Sequence, residues 1–275
     1  MASISAADIK KLRESTGAGM TDCKNALVEA DGDYDKAVEL LRIKGLKGVA
    51  KREGRAASNG LVAAKLEGTS KGTLLELNCE TDFVAKGERF QALGQQVLDA
   101  AFGQSDAAAL LEVSVGADTL KSVLDEANAS LGEKIEVRRV VSYEAPYVGL
   151  YLHKTNPDLP PQVGVLVALS GEAPEVARDV AQHIAAFAPL YVTRDQVADD
   201  VVAKEREIAE ATAREEGKPE AALPKIVEGR VQGFFKDNVL VEQAFAKDNK
   251  KTVARVLEEA GVAVTGFSRF KVGQA

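Results

Sequence analysis

The chain has 275 residues, 45% of them hydrophobic and 28% charged, with a formal net charge of −7. This composition belongs to a globular protein with room for two modest domains, and it excludes intrinsic disorder. The acidic balance argues against nucleic-acid binding, which needs Lys and Arg clustered against phosphate, so a protein partner or a small ligand is the expectation. No apolar run approaches the roughly 20 residues of a membrane span, so no membrane contact is expected. The first residues lack a basic stretch followed by an apolar one, which makes the cytoplasm the expected location.

Residues 1–55 read as three short helices and a basic linker. Ile9 and Leu12 mark the apolar stripe of the first helix, Gly17-Ala18-Gly19 breaks it, and Cys23, Ala26, Leu27 and Ala30 recur at helical spacing in the second. Asp31-Gly32-Asp33 ends that helix and caps a third, which carries Ala37, Leu40 and Leu41 on one face. A bundle this small has little core, which suits a docking module that leans on a partner. Residues 44–55, rich in Gly, Lys and Arg, read as a solvated connector or a frayed helix in preference to an RNA contact.

Beyond residue 56 one order of elements occurs twice. In 56–145, strands at 61–66 and 73–78 flank a turn and precede a helix with Phe90, Leu93, Val97 and Ala101 on one face. In 146–275, strands at 148–153 and 163–169 flank a proline-rich turn, and the next helix carries Val176, Val180, His183, Ile184 and Phe187 on one face. The halves also end alike: VLDEA at 123–127 precedes a strand at 135–143, and VLEEA at 256–260 precedes a strand at 264–272. The strand-to-strand turns are too short for parallel crossovers, so each half is expected to be a small antiparallel sheet with helices on one face. The fold class is therefore α+β, a three-helix unit followed by a duplicated core. The second half holds an additional helical segment. Val197, Val201, Ala203 and Ile208 mark one arm, Gly217-Lys218-Pro219 a break, and Ala222, Ile226, Val227, Val231 and Phe234 a second arm, together an antiparallel hairpin.

Side-chain chemistry offers no catalytic constellation. His153 and His183 are the only histidines, and no glycine-rich phosphate loop, nucleophile elbow or zinc spacing occurs. Cys23 and Cys79 lack metal-ligand spacing and are read as buried or half-buried free thiols, and no metal or cofactor is expected. The most informative segment is ELNCETDFVAK at 76–86, where a strand-like run ends in Thr81 and Asp82 with Phe83 directly behind. One reading makes Thr81 or Asp82 the cap of the next helix and packs Phe83 inward. The other makes the corner an acid and an aromatic wedge presented to another molecule's metal or phosphate.

Two stretches carry a family resemblance. LRESTGAGMTDCKNAL at 12–27 resembles the amino-terminal signature of the bacterial elongation factor Ts family, and ELNCETDFVAK at 76–86 resembles its second signature. The similarity of organisation extends along nearly the whole chain. It implies a ubiquitin-associated-like domain and linker over 1–55, core subdomains over 56–145 and 146–275, and a coiled-coil hairpin inserted at about 194–237. It also implies a guanine-nucleotide exchange factor for the GTPase elongation factor Tu, working by binding and without covalent chemistry. In the family the Thr-Asp-Phe-Val corner enters the GTPase near its magnesium site, which maps onto Thr81, Asp82, Phe83 and Val84. The family's first domain docks on the partner's nucleotide-binding domain, which points to Leu12, Arg13 and Met20, with Thr21 standing where an apolar residue is common. A histidine in the family's equivalent helix approaches the partner's phosphate loop, which points to His183, although its neighbours Val180 and Phe187 suit a packed core histidine. The alternative to an exchange factor is a protein-binding adaptor built on the helical domain, or an oligomeric scaffold that self-associates through the hairpin.

Overall fold

The computed structural model describes residues 4–274. Helix α1 (Ala6–Thr16) opens at a capping box in which Ser5 and Asp8 accept one another's backbone N–H, and it closes at Gly17, whose φ of 72° ends the last turn. Helices α2 (Met20–Glu29) and α3 (Tyr34–Arg52) follow, the latter capped by the Asp33 carboxylate. Leu12, Cys23, Ala26, Leu27, Ala30, Ala37 and Leu41 form their shared core.

The next elements are β1 (Asn59–Glu67), β2 (Lys71–Cys79), α4 (Asp82–Lys86), α5 (Glu88–Ala101), the short α6 (Ala107–Leu110), the small hairpin β3 (Ser114–Val115) and β4 (Asp118–Thr119), α7 (Leu120–Leu131) and β5 (Glu136–Glu144). β1, β2 and β5 make an antiparallel sheet with β2 in the centre. After it come β6 (Tyr147–His153), β7 (Val163–Leu169), α8 (Pro174–Phe187), α9 (Asp199–Glu215), α10 (Leu223–Asn238), β8 (Ala244–Phe245), β9 (Asp248–Thr252), α11 (Val253–Glu259) and β10 (Val264–Lys271). β6, β7 and β10 form a second antiparallel sheet with β7 central.

Alternation along β2 explains how the layers stack. Leu75, Leu77 and Cys79 point to one side and pack with Phe90, Leu93 and Val97 of α5 and Leu120 and Leu124 of α7. Leu74 points to the other side, where it packs with Val62, Val148, Leu166 and Phe270, so the two sheets meet face to face. The outer face of the second sheet carries Val165, Val167 and Leu169 against Ala177, Val180, Ala181 and Ile184 of α8. Both central strands are consequently buried on both faces. Such a strand has no exposed face for a polar side chain, yet β2 carries Glu76 into the layer between the sheets. Its carboxylate accepts from Arg139 at 2.7 and 2.6 Å and from the Gly273 N–H at 3.0 Å. The last residues of the chain are thereby tied to the first sheet.

Three expectations are narrowed or corrected. The glycine-containing basic stretch takes the helical of its two readings as far as Arg52, not the solvated one: α3 continues through it and lies on α7. Gly45 makes that contact close, since a Cβ there would sit 2.5 Å from the Ala129 Cβ. Phe187 does not join the core face of α8. It lies in the last turn, just before Ala188 ends the helix at φ 48°, and is 53% exposed. In the helical hairpin α9 and α10 pack antiparallel as expected, with Val197 and Val201 turned inward, but further along α9 the inward residues are Ala209 and Ala213. Ile208 is 47% exposed and Ala203 is exposed, because the face turned to α10 carries Ala209 and Ala213, and Ile208 lies about 100° round the helix from Ala209.

The buried ion pair between the sheets gives a direct stability prediction. Glu76→Ala leaves the Arg139 guanidinium and the Gly273 N–H without their acceptor and should destabilise the protein by about 3 kcal/mol. Urea unfolding measures it, and a midpoint equal to that of the parent would contradict the assignment.

Candidate functional site

The 76–86 segment folds into a corner whose shape follows from hydrogen-bond accounting. β2 ends at Cys79, and the chain turns through Glu80 and Thr81 into α4, a single helical turn. Thr81 is the N-cap residue, with extended backbone, and its Oγ1 accepts from the Val84 N–H at 3.3 Å. The expected cap is therefore present. With Thr81 at that position, Val84 and Ala85 take the inward side of the turn, against the core that holds Leu75 and Phe90. Phe83 falls on the opposite side and is 84% exposed, which rules out the one of the two readings that packs it inward.

Asp82, the first residue of α4, also faces outward. Its carboxylate lies 2.8 Å from the Lys86 Nζ one turn later, and the hydrogen bond from Lys86 holds its pKa below the usual carboxylate range. Asp82 is thus anionic near neutral pH. Exposed i,i+4 pairs of this kind are screened by water and weak, so Lys86 is readily exchanged for another cation.

Below the corner Cys79 is a neutral donor and no nucleophile. Its Sγ lies 3.2 Å from the Thr81 carbonyl, and burial pushes its thiol up to about 12. Cys23 is likewise buried, and neither cysteine is in a disulfide.

The residues that hold the corner in place come from the loop between α7 and β5. The Glu133 carboxylate accepts from the Glu80 N–H at 3.1 Å, the Thr81 N–H at 3.0 Å and the Thr81 hydroxyl at 2.5 Å. In return the Glu80 carboxylate accepts from the Lys134 N–H at 2.7 Å and from the Arg55 guanidinium at 3.2 and 3.3 Å. Glu80 and Glu133 escaped the sequence reading because each looks like an ordinary charged turn residue. The one signal available was that N–H groups leaving the end of a buried strand require acceptors, and this does not say which residue supplies them.

The remaining sequence candidates divide. Met20 is 60% exposed and Arg13 is also exposed, so both are accessible on the helical unit. Leu12 is not. It is fully buried in the three-helix core, the only residue of α1 turned completely inward. His183 is also fully buried. Its Nε2 donates to the Gln243 Oε1 at 2.8 Å, its Nδ1 accepts from the Ala246 N–H at 3.2 Å, and the Phe187 ring stacks on it at 4.7 Å. Burial lowers its pKa and favours the neutral ring, and in the isolated chain the side chain is packed among these neighbours. Among the described residues no group of three or more His, Cys, Asp or Glu is placed to hold a metal ion, and no helix is long and apolar enough to cross a membrane.

A family model described as Elongation factor TS matches residues 80–274 and begins at the corner itself. The chain is 61% identical over 276 residues to Elongation factor Ts of Acidothermus cellulolyticus, covering all of both chains. It is 60% identical over 275 residues to Elongation factor Ts of Kineococcus radiotolerans, covering 99% of this chain and 100% of the other. To Elongation factor Ts of Thermobifida fusca it is 57% identical over 278 residues, again along the full length of both. Agreement of this extent, over the helical unit, both sheets and the hairpin alike, means that the chain belongs to the elongation factor Ts family.

Proposed function

We propose that this chain is a guanine-nucleotide exchange factor for elongation factor Tu, and that it acts on the partner's magnesium and phosphate-loop site through Thr81, Asp82, Phe83 and Val84. The observation that carries this reading is Phe83, a large apolar side chain left 84% exposed on a corner that is fixed from below. Family membership supports it.

The physics of exchange needs only binding. Bound GDP is held by backbone N–H groups of a phosphate loop and by Mg²⁺, which neutralises the diphosphate. Transfer of the Phe83 ring from water into an apolar pocket of the partner releases roughly 1.5–3 kcal/mol. Because the corner is already ordered, little of that is spent on fixing it. The ring then holds the partner's backbone where the ion site is distorted, while Asp82 opposes the phosphates or competes for the metal's water shell. Reciprocity follows: whatever factor this chain takes from nucleotide affinity, nucleotide takes from the affinity of this chain. No bond is broken, and net direction comes from the supply of GTP.

The rest of the chain serves as a frame for that corner. We assign residues 1–55 to a ubiquitin-associated-like domain and the basic end of its third helix, with exposed Met20 and Arg13 as its docking residues, and 56–145 and 146–275 to duplicated core subdomains. Duplication is supported by the repeated order of a hairpin, a long helix, a two-strand hairpin, a helix and a returning third strand. The hairpin α9–α10 is an insertion in the second copy at about 194–237. Its site of action is the cytoplasm, where elongation takes place.

Stopped-flow release of a fluorescent GDP analogue from elongation factor Tu tests the assignment. Phe83→Ala should slow release at saturating factor by at least about tenfold while changing the affinity of the complex much less. Release at the parent rate would overturn the wedge. Asp82→Ala should slow release more as Mg²⁺ is raised, if metal displacement is its task; a deficit independent of Mg²⁺ would place Asp82 on the phosphates, and no deficit at all would remove it from the mechanism.

A further inference from the structure

We infer that Glu133 is the positioning residue of the corner, setting the orientation of Phe83 through Thr81; this rests on the exchange reading above and adds a residue to it. β2 pairs with its neighbours only as far as Cys79 on one side and Asn78 on the other, so the Glu80 and Thr81 N–H groups leave the sheet without ladder partners. The Glu133 carboxylate takes both of them, and its second oxygen takes the Thr81 hydroxyl proton. That third bond has a directional effect. A hydroxyl whose proton is committed to a carboxylate turns a lone pair to the Val84 N–H, which is the capping bond that starts α4. The line Glu133–Thr81–Val84 thus fixes the first turn of the helix, and Phe83 lies inside that turn.

Glu133 is itself held firmly enough to act as a reference point. α7 ends at Gly132, with φ 77°, and the Gly132 N–H returns to the Asn128 carbonyl at 3.1 Å. The buried Asn128 side chain then brackets Ile135, accepting its N–H and donating to its carbonyl. Between these two anchors, Lys134 gives its N–H to Glu80. The two glutamates therefore grip each other's backbones across the gap between loop and corner. Bonds from carboxylates to backbone N–H groups are among the stronger hydrogen bonds in proteins, and half-buried Glu133 is partly shielded from competing water.

The test uses the full-length chain and the same GDP-release assay, recording the limiting rate and the half-saturating concentration separately. Glu133→Ala should lower the limiting rate about tenfold and move half-saturation less than about threefold, because the contact surface stays and only its orientation is lost. Glu133→Gln keeps an oxygen for the two N–H groups but sets an amide donor against the Thr81 hydroxyl, so it should recover only part of the rate. In a Phe83→Ala background Glu133→Ala should cost little more, since both act through the ring. Full rate for Glu133→Ala beside a slowed Phe83→Ala would overturn the positioning role and leave the corner reading intact. A full additional loss in the Phe83→Ala background, or a Gln variant at the full parent rate, would also overturn it, the first by showing a general structural role and the second by showing that the Thr81 hydroxyl bond sets nothing. Full rates for both single variants would bring down the two readings together.

Discussion

A strand covered on both faces governs this structure. β2 has the helices α5 and α7 on one side and the second sheet on the other, so its buried side chains are mostly apolar, and Thr73 and Glu76 are hydrogen-bonded while Asn78 pairs through its Nδ2 alone. Glu76 is paired with Arg139 and with the backbone of Gly273. Arg139 also stacks on Phe270 and donates to the Lys271 carbonyl, so one buried carboxylate organises the contact between β5 and the end of the chain. A strand gripped this way cannot slide or tilt, because a slip of one residue would reverse every side chain between the two faces. The corner that follows it inherits this rigidity.

Burial of the strand and exposure of the ring are two sides of one arrangement. The cap at Thr81 fixes which residues of a five-residue helix face the core, and Val84 and Ala85 satisfy that side completely. Nothing remains to cover Phe83. A single exposed aromatic needs little explanation on a surface of ordinary composition, but one mounted between a buried strand and a loop that grips it is expensive to leave uncovered and easy to present.

Periodicity made much of this legible beforehand. The inward residues of α5 and the strand pairs of both sheets agree with the spacing of apolar residues, since the helices and central strands bury them on large continuous faces. Legibility failed where burial depends on a neighbour that periodicity does not describe. Ile208 follows the helical repeat yet faces water, because Ala209 and Ala213 occupy the face turned to α10. Phe187 likewise keeps the spacing and lies past the end of the core face. Leu12 sits inside a signature motif and turned out to be core, so membership of a motif does not place a side chain at the surface. Glu133 is 52 residues from Thr81 in sequence, and no local pattern links a turn glutamate to a strand end so remote.

The ion pair between Asp82 and Lys86 has an electrostatic corollary. A bare carboxylate at the tip of the corner would be repelled by any diphosphate it approached, and over roughly a Debye length of 8 Å that repulsion would slow encounter. Lys86, 2.8 Å away and on the same turn, makes the tip a dipole with almost no net charge. Approach is then neither hindered nor favoured at long range. The field of the pair falls off faster than that of a lone carboxylate, so the Asp82 charge is felt only over distances comparable to its separation from Lys86.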